Sequence, residues 1–372
     1  MNTATAANLL YGDVEEDLRA SVRGLLASRC APADLLRRVE SDQRIDLDLW
    51  RTLATQVGVT GLPVPEELGG QGASAREVAV VLEELGRSLA PVPFLASSVL
   101  ATNALLAAGP GAAGVLRAVA EGERTAALAV PFTAWPDVEP TVRATGGGLT
   151  GTVRSVAGAD VADVFVVPVA GPHGVELHAV DAAAPSAVAV TEAVPLDLTR
   201  PVADVSFDGA ASTTLTDDGA AAVRAALLAG AGLLASEQVG IADYCLESTV
   251  EYVKQRYQFG RPVGSFQALK HRLADLFGEL AVARAAARYA ADTLANGDPD
   301  AAVAVSVAQS LCASTAVHAA EEAVQLHGGI GMTWEHPAHL YLKRAKANEL
   351  ALGTPGRHRA SLAELVDLPG PQ

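Results

Sequence analysis

Two segments in the last third of the chain carry residue types suited to holding a flat, anionic ligand. The first is Lys254-Gln255-Arg256-Tyr257-Gln258-Phe259-Gly260-Arg261-Pro262-Val263-Gly264-Ser265-Phe266-Gln267. Arg256 can offer a planar fork to a phosphate. Phe259 can cover a flat ring, and Gln258 and Gln267 can hydrogen-bond polar edges. The second segment is Gln325-Leu326-His327-Gly328-Gly329-Ile330-Gly331-Met332-Thr333. Its glycines let backbone amides approach a ligand closely. Each segment also has a plain structural reading. The first could be a charged helix-turn-helix corner, the second a glycine C-cap and tight turn. Composition alone leaves both readings open.

Other apparent motifs fail on context. Gly146-x-Gly148-x-x-Gly151 matches the dinucleotide fingerprint in form, but Thr152-Val153-Arg154 continues as strand where a helix is needed. Gly230-x-Gly232-x-x-Ala235 falls inside a predicted helix, where small residues permit close packing. His336 and His339 have no carboxylate or thiol cluster to complete a metal site. The sequence has no Gly-x-Ser-x-Gly elbow and no Walker A loop. Cys30, Cys245 and Cys312 are scattered, which points to a reducing compartment without a disulfide framework. Met1 to Arg19 lacks a basic stretch followed by an apolar block, so a cytoplasmic location is expected.

Three compositional regions must position these segments. Residues 1–124 read as helical, with Val14, Leu18, Val22 and Leu25, then Val78, Leu82 and Leu85, at helical spacing. Pro63, Pro65, Gly69-Gly70-Gln71-Gly72, Pro91 and Pro93 interrupt them. Residues 125–216 read as a small antiparallel β domain. Val161 to Val169 is a β-branched run, Gly171-Pro172-His173-Gly174 a turn, and Val175 to Val180 an alternating strand. Gly146-Gly147-Gly148 marks another turn. In residues 217–372 helical periodicity returns, over Arg224 to Lys254, Phe266 to Leu294 and Ala301 to Leu326. Helices, strands, helices in that order predict an α+β fold.

The 372 residues are 50% apolar, enough for a large core and too apolar for a disordered chain. A net charge of −16 argues against a nucleic-acid partner. It leaves room for a local cationic turn at Arg256. The longest clean apolar run, Ala225 to Ala235, is too short to span a bilayer, so no membrane span is expected.

Together the two segments resemble the acyl-CoA dehydrogenase family. The Arg-x-x-Phe-Gly-Arg-Pro turn with Ser265-Phe266-Gln267-Ala268 looks like that family's signature, as does Gln325-Leu326-His327-Gly328-Gly329. Val64-Pro65-Glu66-Glu67-Leu68-Gly69-Gly70-Gln71-Gly72 is similar to a family loop. Val205-Ser206-Phe207-Asp208-Gly209 resembles the exit from its β domain. The resemblance covers essentially the whole chain in matching order. It implies an N-terminal α-helical domain (1–124), a middle antiparallel β-barrel domain (125–216) and a C-terminal four-helix bundle (217–372). It further implies FAD lying across a subunit interface, an acyl-CoA substrate and electron-transfer flavoprotein as acceptor. By the same resemblance Arg256, Gln258, Phe259, Gln267, Gln325, Gly328, Gly329 and Thr354 would bind the cofactor. Most of them would reach the ADP half of a flavin held mainly by a neighbouring subunit.

The resemblance also exposes what is missing. The family reaction removes an α-proton from an acyl-CoA thioester and passes the β-hydrogen to the flavin as hydride, so it needs a carboxylate base. The usual glutamate stands just before a Gly-Thr near the C-terminus, and here that residue is Leu352. Some members carry the base on the helix before the Arg-x-x-Phe turn, and here that place falls on Gly230 or Ala231. Glu237 and Glu349 are the carboxylates nearby, and either would have to be a relocated base. A misplacement of about 1 Å can already cost about 10²-fold. The family's Thr-Glu-Pro…Gly-Ser-Asp loop is reduced to fragments within Ala129 to Asp137, and its Trp-Ile-Thr strand is replaced by Val153 to Ala157. This asymmetry resembles the non-catalytic partner in α2β2 bacterial acyl-CoA dehydrogenases, some of which act on sterol side chains. Two other readings remain: a homomeric flavoenzyme with a relocated base such as Glu237, and a flavin-free scaffold.

Overall fold

The computed structural model describes residues 9–184 and 186–369. Its first part is helical: α1 (Asp13–Arg29), α2 (Pro32–Val39), α3 (Leu47–Thr52), α4 (Ala75–Ser88), α5 (Thr102–Ala108) and α6 (Ala113–Ala120). A π-helical stretch, Leu95–Ala101, leads into α5. The start of α4 is fixed by a reciprocal cap. Ser74 Oγ accepts the Arg76 N–H, and the Glu77 carboxylate accepts the Ser74 N–H at 2.8 Å.

The middle part is a sheet of β1 (Ala126–Leu128), β2 (Val142–Thr145), β3 (Gly148–Ala157), β4 (Val164–Gly171), β5 (Gly174–Asp181), β6 (Val188–Glu192), β7 (Val202–Ala210) and β8 (Thr213–Thr216). The order is β6-β7-β3-β2-β4-β5-β8, with β1 also on β4. An antiparallel barrel was expected. The path is instead open at β6 and β8, and β1 and β2 run parallel to β4. The reason is local. β1 pairs the first half of β4 (Ala126 opposite Val164), and β2 pairs the second half (Val142 opposite Val169). The loop between β1 and β2 is thereby thrown out towards the helices.

The last part contains α7 (Gly219–Gln255), α8 (Gln267–Ala295), α9 (Ala301–His327), α10 (Ala338–Leu350) and α11 (Pro355–Leu365). Helix α7 starts before the expected Arg224 because Asp218 caps it, its carboxylate accepting the Ala221 N–H at 3.2 Å. It packs on α4, α5, α8 and α9. Two glycines let α4 and α7 cross backbone to backbone. A Cβ on Gly240 would lie 1.9 Å from Glu83 O, and one on Gly86 would lie 2.2 Å from Glu237 O. Three helical stretches (Leu95–Ala120, Gly219–Gln255 and Ala301–Met332) are long and apolar enough to cross a bilayer by length and composition. Polar residues interrupt each stretch, so no uninterrupted apolar run in them reaches membrane-spanning length. In the fold, 72% of the most apolar window of Gly219–Gln255 is buried within the protein.

Candidate functional site

The two segments singled out in the sequence meet in one groove. Helix α7 ends at Arg256, whose backbone is extended and whose N–H donates to Tyr252 O at 2.9 Å. A hairpin follows, β9 (Tyr257–Gln258) against β10 (Arg261–Pro262). Its two turn residues, Phe259 (φ 52°) and Gly260 (φ 75°), are both left-handed, as a two-residue hairpin of this hand requires. The Arg256 carbonyl accepts the Val263 N–H at 2.8 Å and closes the corner. From the other side α9 ends at Gly328 (φ 63°), and a 3-10 turn, Gly328–Met332, follows.

An open groove of about 570 Å³ lies between them, lined by Arg256, Gln258, Arg272, Gln325, Gly328 and Gly329 among others. A Cβ on Gly329 would stand in open space, so this glycine relieves no clash within the chain and leaves room in the groove. The basic side chains around it differ in what they do. Arg272 is clamped by Glu322 at 2.8 Å, and the Arg261 guanidinium lies over the Phe266 ring at 3.9 Å. Arg256 is exposed and has no ion-pair partner among the described residues. It is therefore available to an anion. The Phe259 ring, 90% exposed, meets the edge of Phe266 at the hairpin tip, and Gln267 opens α8 on the same corner. Neither lines the groove itself. Thr354 lies with a second cluster, where it caps α11 by accepting the Arg357 N–H at 3.3 Å.

That second cluster is built around Leu352. This leucine is 2% exposed and left-handed (φ 53°). Its N–H donates to Phe132 O, and its carbonyl accepts from His358 Nε2, both at 3.0 Å. The loop thrown out between β1 and β2 packs down here. Trp135 covers Gly353 so closely that a Cβ would lie 2.5 Å from its ring. The same ring meets His358 edge-on at 4.9 Å and carries the Arg357 guanidinium at 4.7 Å. A Cβ on Gly230 would come 2.4 Å from Leu100 Cδ2 and 3.1 Å from Leu352 Cδ1. The two places where a base was sought therefore adjoin, and leucine side chains fill the space between them. Neither they nor Ala231 can take a proton.

The carboxylates considered as a relocated base are committed elsewhere. Glu237, 1% exposed, accepts from Asn348 Nδ2 at 2.9 Å and Arg344 at 3.1 Å, and it pairs with Arg200. Arg344 also binds Asp197 and Thr199, and Arg200 donates to Asn348 Oδ1 at 2.9 Å. Burial alone pushes the Glu237 carboxyl up. Arg200 and Arg344 outweigh this and hold it at about 2. A carboxylate this stabilised, with both oxygens occupied, is a poor proton acceptor. It serves instead to tie the segment before β7 to α7 and α10. Glu349 is part-exposed on the last turn of α10, with Lys346 at 3.3 Å.

None of this ionic node was legible locally. Glu237 lies 37 positions from Arg200, 107 from Arg344 and 111 from Asn348, so no spacing rule links them. Trp135, His358 and Arg357 were missed for the same reason.

Comparisons with known proteins bear on the family and the fold. Residues 12–122 match the family model described as acyl-CoA dehydrogenase, N-terminal domain, and residues 217–366 match acyl-CoA dehydrogenase, C-terminal domain. Acyl-CoA dehydrogenase IpdE2 of Mycobacterium tuberculosis is 39% identical over 338 residues, covering 91% of this chain and 92% of that protein. Acyl-CoA dehydrogenase FadE27 of the same organism is 34% identical, covering 96% of this chain and 98% of that one. A chain in the crystal structure of the ChsE4-ChsE5 complex from Mycobacterium tuberculosis superposes with a TM-score of 0.86 at 31% identity. That match covers 98% of this chain and all (100%) of the other. A Tcur3481-Tcur3483 steroid ACAD variant gives 0.85 at 29% identity, over 97% of this chain and 99% of that one.

Proposed function

Since this chain belongs to the acyl-CoA dehydrogenase family, whose members bind FAD, we propose that it is the partner subunit of a heteromeric enzyme. It grips the ADP half of a flavin whose reactive ring and base are supplied by a catalytic paralogue, as in an α2β2 assembly. Bound FAD supplies the hydride acceptor for α,β-dehydrogenation of an acyl-CoA thioester.

One observation carries this reading. The open, cationic groove at Arg256 and the filled site at Gly230 lie on a single unbroken helix, α7. At 1.5 Å per residue their separation is about 39 Å. The half that suits a nucleotide is intact and the half that suits chemistry is occupied by Leu100, Leu352 and Trp135. At the groove, Arg256 offsets pyrophosphate charge and Gly328-Gly329 lets main-chain donors approach. Gln258 and Gln325 bond polar edges, while Phe259, exposed at the hairpin tip outside the groove, covers a ring that extends beyond it. The Arg200–Glu237–Arg344 node weighs against a homomeric enzyme using Glu237.

A sterol-derived acyl-CoA is the substrate class we favour, supported by the steroid ACAD among the similar structures. Electron-transfer flavoprotein then reoxidises the flavin. The experiment is co-expression with a neighbouring acyl-CoA dehydrogenase paralogue, measuring FAD per subunit and acyl-CoA oxidation. The complex is expected to hold flavin and turn over, and the lone chain to do neither. Robust turnover by the lone chain would sink the proposal.

A further inference from the structure

Beside Leu352 lies a small cavity of about 110 Å³, bounded by Trp135, Leu227, Ala302, Val305 and Leu365, with His358 in its wall. It is separate from the groove at Arg256 and shares no lining residue with it. Its walls are mainly apolar, with Ser306 and Ser361 also among them, and one buried polar atom of a lining residue is unsatisfied. His358 is 2% exposed, and its Nδ1 has no hydrogen-bond partner.

The tautomer of that ring follows from its partner. The Leu352 carbonyl can only accept, so His358 Nε2 must carry the proton of their 3.0 Å bond. Burial, and then the nearby Arg357, keep the ring from taking a second proton. Nδ1 is therefore a lone-pair acceptor without a hydrogen-bond partner among the described residues. Leaving such an atom dry is costly, and native interiors rarely do so.

We propose that this cavity binds a small, neutral, mainly apolar molecule with one hydrogen-bond donor, of the class of a short alicyclic alcohol. The apolar walls hold the carbon body and His358 Nδ1 accepts the hydroxyl proton. A carboxylate is disfavoured because its lone pairs would face that of Nδ1. An ammonium is disfavoured because Arg357 stands close by, over Trp135. The volume admits a ligand of a few heavy atoms and excludes a sterol nucleus. Since His358 also fixes the Leu352 carbonyl, the occupant braces the turn that closes the vacant base position.

The test uses the purified chain and two soluble probes of the same shape, cyclopentanol and cyclopentanone. Only the alcohol can donate. Saturable cyclopentanol binding is expected by ligand-observed NMR with a Kd of about 1 mM. The ketone should bind at least about tenfold more weakly, because it leaves Nδ1 unpaired. Ala302→Leu fills the cavity without touching His358 and should abolish binding while keeping the native circular dichroism. His358→Phe should weaken the alcohol to the level of the ketone. The proposal is overturned by no saturation up to about 50 mM alcohol, by equal affinity for the two probes, or by unchanged binding in Ala302→Leu.

Discussion

Gly230 and Leu352 face each other at contact distance, since a Cβ on Gly230 would lie 3.1 Å from Leu352 Cδ1. The place where the sequence resemblance puts a base is thus a packed leucine contact. Adding a methyl there meets Leu100 first, at 2.4 Å. Gly230→Ala is expected to destabilise by about 1–3 kcal/mol through overpacking. Leu100→Ala removes the obstacle. The double variant should therefore be more stable than the sum of the two single effects, a coupling that urea denaturation of all four proteins will measure.

Restoring a carboxylate at 352 tests the same contact from the other side. Leu352→Glu places an unpaired acid in an apolar, 2% exposed position. It is expected to cost about 3 kcal/mol or more at neutral pH, with partial recovery in acid as the side chain becomes neutral. It should not confer acyl-CoA oxidation on the lone chain, because Trp135 still occupies the face of Gly353.

Arg256→Gln should leave the fold unchanged, as Arg256 is exposed and unpaired among the described residues. In the proposed complex with a catalytic paralogue it should weaken FAD by about tenfold or more, the loss of a charge-assisted phosphate contact. Flavin absorbance after desalting reads this directly. Retention equal to wild type would remove Arg256 from the cofactor site.

Glu237→Gln separates structure from catalysis. It leaves Arg200 without its carboxylate and Arg344 with Asp197 alone, and should destabilise by about 3–5 kcal/mol. A catalytic base would show the reverse pattern, lost turnover with a stable fold. Acid makes the same point in wild type. The folded Glu237 titrates at about 2, below its ordinary 4.5. Its contribution is present above 4.5 and is lost as pH falls from there towards 2. Glu237→Gln should lack that component of the acid leg of the Tm profile.

The turn at Gly328 has its own acid sensitivity. His327 and His336 lie 4.5 Å apart, with Tyr252 stacked on His327 and with His339 and Lys343 close by. Burial pushes both ring pKa values down from 6.5, with His327 adding to the effect on His336. The unfolded chain then takes up protons first as pH drops below about 6.5, so stability falls in that direction. The Tm measured against pH reads this trend directly. His336→Leu should flatten the dependence.

The sequence revealed the architecture wherever the signal was local. Periodicity located α7, α8 and α9 to within a few residues, and the glycine turn at Gly171–Gly174 separated β4 from β5. The parallel pairing of β1 and β2 with β4 was invisible, because it depends on where a loop returns and not on alternation within either strand. Arg256 and Gly329 were recognised as one site through resemblance, and the fold places both on one groove. What fills the other half was not legible. The Trp135–Gly353 contact joins positions more than two hundred residues apart, and the fate of Glu237 depends on arginines from two other elements.

The hairpin tip has a consequence for the life of the chain before assembly. Phe259 is 90% exposed in a left-handed turn, Tyr257 lies beside it, and Met332 and Trp334 are bare just past the glycine turn. A copy without a partner thus shows exposed apolar side chains around its groove. Such an orphan is a substrate for chaperones and proteases, so on the proposed heteromeric reading its cellular abundance should track that of its partner subunit.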